Sequence, residues 1–224
     1  MLVINSILTY SIGLLAFLSL VLGIYSIIIN YKSLTVRIWF LLSMAISLWS
    51  GSYLFMLVVN NESNGILGSK ILHVGASFIP IFFYHFVLSF TLQKRDRKKL
   101  TFLMAGYILA VIFSLLSLTS LIVTGSSPKL GYLYWIDAGK LYPLLLAYFW
   151  IYALAAIYFL YQSYMQSSGI LRKKIFYVLV ASIIGFAGGG TSFLPQTLGI
   201  YPFGQFFVWL YPVIVTYGIF IKDR

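Results

Sequence analysis

Side chains able to do chemistry are scarce in this 224-residue chain, and their spacing excludes most of what they could do. The two histidines, His73 and His85, stand twelve positions apart in one apolar run. On a helix that separation is a rise of ~18 Å and a rotation of about 120°, so the rings cannot share one metal or clamp one haem. There is no cysteine, which removes disulfides, thiolate nucleophiles and thiolate metal sites. The four carboxylates, Glu62, Asp96, Asp137 and Asp223, fall in polar breaks or at the end of the last run. That leaves no carboxylate pair for hydrolysis and no intramembrane acid for proton- or ion-coupled transport. A serine nucleophile needs a histidine on a facing helix, yet Ser77 of Gly75-Ala76-Ser77 shares its run with both histidines. Lys222 ends the last run and lies too shallow for a retinal Schiff base. No catalytic residue, metal or cofactor is expected.

The feature with functional promise is an irregular stretch inside apolar sequence, Gly188-Gly189-Gly190-Thr191-Ser192-Phe193-Leu194-Pro195-Gln196, followed by Tyr201-Pro202-Phe203-Gly204. In lipid, broken helices survive only where protein or a watery cavity satisfies the freed backbone groups. Gly185 and Gly189, four apart and thickened by Gly188 and Gly190, make a small-residue face for close helix approach. Pro195 removes a backbone donor and is expected to kink or end its helix. With Pro202, Gly204 and Pro212, these residues form the expected packing-and-bend set. Two compatible readings follow: tight packing of the last two spans, or an outward-facing pocket. The pocket reading takes Thr191, Ser192, Phe193 and Gln196 together with Pro80 and His85 of the third span as candidate ligand-binding residues.

The elements that must position these residues are membrane spans. The chain is 61% hydrophobic and 8% charged, against about a quarter charged in soluble domains. Apolar runs separated by polar breaks predict an all-α bundle of seven transmembrane helices, at about 4–29, 38–59, 71–92, 101–123, 142–165, 175–199 and 204–221. Seven spans of ~20 residues use roughly 140 residues, which leaves short loops and a single seven-helix domain over 1–224. The longest loop, Thr124–Leu141, has room for a short hairpin or an interfacial segment.

Charge placement orients the bundle. Twelve of the fifteen Lys and Arg fall in loops 1–2, 3–4 and 5–6 and at the C-terminus; Lys70, Lys129 and Lys140 fall on the other side. The positive-inside rule then puts the N-terminus outside and the C-terminus in the cytoplasm. The net charge of +11 is therefore a topology signal and not a nucleic-acid footprint. The run Lys94–Lys99 reads first as a topology determinant and second as an anionic-lipid patch. No basic residue precedes Lys32, so the first run is read as a retained helix and not a cleaved signal peptide. Tyr31 and Trp39 on one side, and Tyr132, Tyr134, Trp135, Tyr142 and Tyr201 on the other, are expected as interfacial belts.

Several stretches carry a resemblance. They are Leu171-Arg172-Lys173-Lys174, the Gly188–Pro195 stretch, Ile200-Tyr201-Pro202-Phe203-Gly204, Leu210-Tyr211-Pro212 and Thr216-Tyr217-Gly218-Ile219. Together with Leu48-Trp49, Phe78-Ile79-Pro80, His85-Phe86 and Leu88-Ser89-Phe90, they resemble the N-terminal seven-helix sensor region of bacterial histidine kinases. The resemblance spans essentially the whole chain, and its specific part is the last ~55 residues. It implies a multi-pass module in the bacterial cytoplasmic membrane, embedded in the lipid bilayer and coupled to a cytoplasmic kinase or other output domain. It also implies a homodimer through the full-length protein. After Lys222-Asp223-Arg224 no phosphoacceptor histidine or ATP-binding motif follows, so the chain is expected either as an excised sensor or as a protein acting without its own kinase. Pro195-Gln196 is also similar to the Pro-Gln dipeptide of seven-helix sugar and amino-acid carriers, without a matching dipeptide near spans one to three. The alternatives are a small-solute transporter with the broken sixth helix at its substrate site, and a scaffold that helps a partner assemble.

Overall fold

Among the described residues, six helices are long and apolar enough to cross a membrane. The computed structural model describes residues 2–91 and 97–221. The helices are α1 (Leu2–Asn30), α2 (Leu34–Val58), α3 (Glu62–Phe90), α4 (Arg97–Ser117), α5 (Tyr142–Gln166) and α6 (Gly169–Gly190). After α6 come a 3-10 turn at Thr191–Phe193 and the short α7 (Leu194–Leu198), then a 3-10 turn at Phe203–Phe206 and α8 (Leu210–Phe220). The result is the expected all-α membrane bundle, with α8 as the short seventh crossing element. Lys94, Arg95 and Asp96 of the basic loop, and the terminal Lys222, Asp223 and Arg224, lie outside the described residues.

Lipid exposure decides which faces are apolar. α1 and α4 turn Tyr10, Phe17, Ile108 and Leu115 outward at more than half exposure. A water-soluble surface would not carry such a band of large apolar side chains. α3 is the most deeply buried helix and packs on α2, α4 and α5, while α6 packs on α5 and α8.

The helix ends differ from the apolar runs where local chemistry extends or stops them. α3 begins at Glu62 and not at 71, because the Asn61 side chain accepts from the Asn64 N–H and Glu62 favours the helix N-terminus. α6 begins at Gly169, so Arg172, Lys173 and Lys174 lie within its first turns. The fourth span stops at Ser117 and not at 123, where the chain turns into a hairpin. Span seven, expected as one helix over 204–221, is split at 207–209 into a 3-10 turn and an eleven-residue helix. Pro212 sits in the first turn of α8, where its missing N–H costs nothing.

The loop after α4 is an antiparallel pair, β1 (Val123–Lys129) and β2 (Tyr132–Ala138), joined at Leu130-Gly131. Both turn residues have positive φ, +55° and +84°, the geometry of the tight hairpin turn that matches strand twist. Lys129 Nζ lies 2.6 Å from Asp137 Oδ1 and donates to the Ile136 carbonyl, while Ser127 Oγ donates to the same carboxylate. Partial burial opposes the Asp137 charge, but the hydrogen bonds from Lys129 and Ser127 and the lysine charge prevail and hold its pKa below the usual value. A depressed carboxylate stabilises the fold above its unfolded pKa, and that stabilisation is lost as pH falls through the folded value. Asp137→Asn is expected to remove below about 1 kcal/mol, as partly exposed pairs do. Faster amide exchange confined to the hairpin at neutral pH, and vanishing relative to wild type in acid, is the measurement.

The hairpin seals one end of the bundle. Asn5 Nδ2 donates to the Leu130 carbonyl, and Tyr132 Oη donates to the Asn5 carbonyl. Tyr201 Oη donates to Asn5 Oδ1. Burial pushes the Tyr132 and Tyr201 hydroxyls above their ordinary pKa, which keeps both as neutral donors. The start of α1, the hairpin and the 200–203 loop therefore gather at one end, and Arg172–Lys174 and the N-terminus of α4 at the other.

Candidate functional site: a two-part chamber behind the broken sixth helix

The four glycines near the end of α6 do two different jobs. A Cβ on Gly185 would meet the Tyr211 ring at 2.5 Å, one on Gly188 the Gly204 carbonyl at 2.8 Å, and one on Gly190 the Trp150 ring at 2.5 Å. These three permit close approach by α8, the 203–206 turn and α5. A Cβ on Gly189 would meet nothing within 4 Å. Gly189 instead faces a cavity of about 40 Å³. Its walls include Trp49, Ile79, Phe149, Phe193 and Tyr211, so with α6 six elements line an aromatic chamber.

The break in α6 shapes this chamber. The Thr191–Phe193 turn tightens the helix, and two side chains take up its carbonyls. Thr191 Oγ1 donates to the Gly188 carbonyl at 2.6 Å, and Gln205 Nε2 donates to the Gly189 carbonyl at 2.9 Å. Gln205 is fully buried. Protein groups thus satisfy the irregular backbone, as the low dielectric requires. Pro195 occupies the first turn of α7, where it is tolerated, and Gly199 (φ +69°) ends that helix in the left-handed conformation.

Beyond Phe193 lies a second, polar cavity of about 20 Å³, which shares Trp49, Ser192 and Phe193 with the first. Gln196 organises it: Oε1 accepts from Trp135 Nε1 at 2.9 Å, and Nε2 donates to Tyr142 Oη at 2.6 Å and to the Ser192 carbonyl. His73 lies edge-on to Tyr142, with ring centroids 5.5 Å apart. Its Nδ1 is 2.7 Å from the Ser69 carbonyl, which can only accept, so Nδ1 carries the proton. His73 Nε2 and Tyr53 Oη have no hydrogen-bond partner among the described residues, although both side chains are 1% exposed.

The structure brings Ser192, Phe193 and Gln196 to the chambers and leaves the other three candidates outside. Thr191 spends its hydroxyl on the Gly188 carbonyl. Pro80 is buried in α3 beside Ile79, which lines the apolar chamber in its place. His85 Nδ1 bonds Tyr107 Oη at 2.7 Å and faces α4. Sequence reasoning missed Tyr53, His73, Trp135, Tyr142 and Gln205. Trp39, Trp135 and Tyr142, expected as interfacial anchors, are buried. The overlooked signal was Gln205, an amide within the last apolar run, since polar side chains at such depth face the bundle interior.

The site offers one unpaired imidazole nitrogen, the unpartnered phenols of Tyr53 and Tyr211 and aromatic surface, and no group of three His, Cys, Asp or Glu side chains comes together among the described residues. No curated protein matches the chain. Residues 11–222 match the family model described as the N-terminal 7TM region of histidine kinase. That match runs from within α1 to past the end of α8 and includes both chambers. A membrane bundle of apolar helices, with its broken α6 packed on α8 around an aromatic cavity, thus belongs to the family of N-terminal seven-transmembrane regions of histidine kinases.

Proposed function

We propose that the bundle is the sensory input module of a signal-transduction histidine kinase in the bacterial cytoplasmic membrane, and that a stimulus acting at the two chambers moves α8. The N-terminus is outside, and α8 leads towards a cytoplasmic kinase or other output domain. A homodimer through the full-length protein is part of this reading. The observation that carries it is the shared wall: Gly185, Phe186 and Gly189 of α6 line the apolar chamber together with Tyr211 of α8 and Val208 just before it. A molecule placed there presses on both helices at once.

The far end of α8 is tied to the same helix. Lys174 Nζ donates to the Ile219 carbonyl at 3.3 Å, and Gly218 lies against Tyr177 and Val178. α8 is therefore held to α6 at two levels, and a change at the upper level is relayed along one short rigid helix. A two-state element of this kind converts small shifts into discrete repacking. The carrier alternative draws no support from the break, since the Gly188 and Gly189 carbonyls already accept from Thr191 and Gln205.

The test is a kinase fused after Arg224, with autophosphorylation read in lipid vesicles. Gly189→Leu places a side chain in the apolar chamber and is expected to fix the kinase at one output level across stimuli. A Gly189→Leu fusion that responds as wild type does would sink the coupling.

A further inference from the structure

The unsatisfied valences of the polar chamber specify what it would hold. With Nδ1–H donating to the Ser69 carbonyl, Nε2 of the neutral His73 ring is a bare acceptor. Tyr53 Oη is a donor and acceptor with neither role filled. The Gln196 amide is already engaged with Trp135, Tyr142 and Ser192, and does not compete for the same partner. A buried polar atom left unpaired is costly, and both residues line this cavity. A hydroxyl is the smallest group that donates to Nε2 and also accepts from Tyr53.

Size and charge narrow the class further. The polar chamber has room for about one or two water-sized groups, and the apolar chamber for about three. No charged side chain lines either cavity, so an ionised ligand would meet no counter-charge. Trp49, Ser192 and Phe193 line both cavities, so the two spaces adjoin.

We propose that the two chambers form a single binding site for a small neutral amphiphile, with a hydroxyl between His73 and Tyr53 and an apolar, preferably aromatic, body against Gly189, Trp49 and Phe149. The proposal rests on the sensory reading above and gives it a ligand class. His73 is the group that reports occupancy directly, because the ligand's hydrogen bond ends on its Nε2.

Because the chain has two histidines, a His85→Gln variant assigns the His73 nitrogen signals in the ¹⁵N-histidine-labelled full chain in lipid nanodiscs. Benzyl alcohol is the probe, and toluene, benzoate and benzylammonium are size-matched controls. The expected result is a saturable upfield move of the His73 Nε2 resonance with benzyl alcohol and none with the three controls. Tyr53→Phe removes one hydrogen bond without changing shape, and is expected to weaken binding about threefold to tenfold. Gly189→Leu is expected to abolish it. An Nε2 signal that no probe moves overturns the proposal and leaves a structural water as the chamber's occupant. So does a signal that moves equally with toluene or in Gly189→Leu. This measurement needs no output domain, so its failure is separable from failure of the kinase fusion, which tests coupling alone.

Discussion

Gly204→Leu is expected to destabilise the bundle strongly at the break in α6. Gly204 and Gly188 meet backbone to backbone: a Cβ on Gly204 would lie 2.7 Å from Gly188 Cα, 2.8 Å from Thr191 Cγ2 and 2.9 Å from the Gly188 carbonyl. Two of these three atoms are main chain, so relief requires moving α6 away from the 203–206 turn. Overpacking of a rigid site costs typically about 1–3 kcal/mol, and a backbone obstacle lies at or above the upper end. Separation of the two segments would also draw Gln205 away from the Gly189 carbonyl, adding an unsatisfied group. The measurement is reversible unfolding in mixed micelles. Gly189→Leu is the internal control, since the same side chain added one residue from Gly188 enters open space. A stability loss for Gly204→Leu no larger than that of Gly189→Leu would refute the close-approach account.

Gln205→Leu is expected to come next, through chemistry and not size. The side chain keeps similar bulk but loses the donor to the Gly189 carbonyl at 2.9 Å. Leaving a buried acceptor unpaired costs roughly 1–3 kcal/mol in general. Hydrogen bonds between membrane helices average nearer ~0.6 kcal/mol, because the unfolded chain in lipid also finds partners. Here the Gly189 carbonyl keeps the Thr191 N–H and the substitution also removes the unpartnered Gln205 Oε1, so a loss of about 1 kcal/mol is expected. The distinguishing readout is local. Amide exchange is expected to quicken at 188–193 and along the start of α8, while α1 and α4 keep wild-type protection. Uniform loss of protection would show that Gln205 acts on global packing only.

The long helices were legible in the sequence because lipid imposes a local rule: a span must carry its own hydrogen bonds and an apolar surface. Their ends were less so, since Asn61 and Gly169 set the starts of α3 and α6 by capping and turn geometry outside the apolar core. The glycine–proline stretch was legible as a break, and its glycines as a packing face. Their division of labour was not: Gly185, Gly188 and Gly190 each meet a different neighbour, and Gly189 meets none. Likewise, the twelve-residue spacing dictated that His73 and His85 point in different directions. It carried no information on which would face the chamber.

By itself, then, the sequence determined a multi-pass helical membrane bundle, a broken sixth helix, an orientation from charge placement, and a resemblance to kinase sensor regions. Those follow from composition and period, which act residue by residue along the chain. The tertiary structure decided that the break is closed by Gln205 and Thr191, that Tyr53 of α2 and His73 of α3 line one cavity, and that α6 and α8 share a wall. Such facts depend on how helices far apart in sequence are rotated against one another. That rotation is set by the packing of the whole bundle, and no local pattern encodes it.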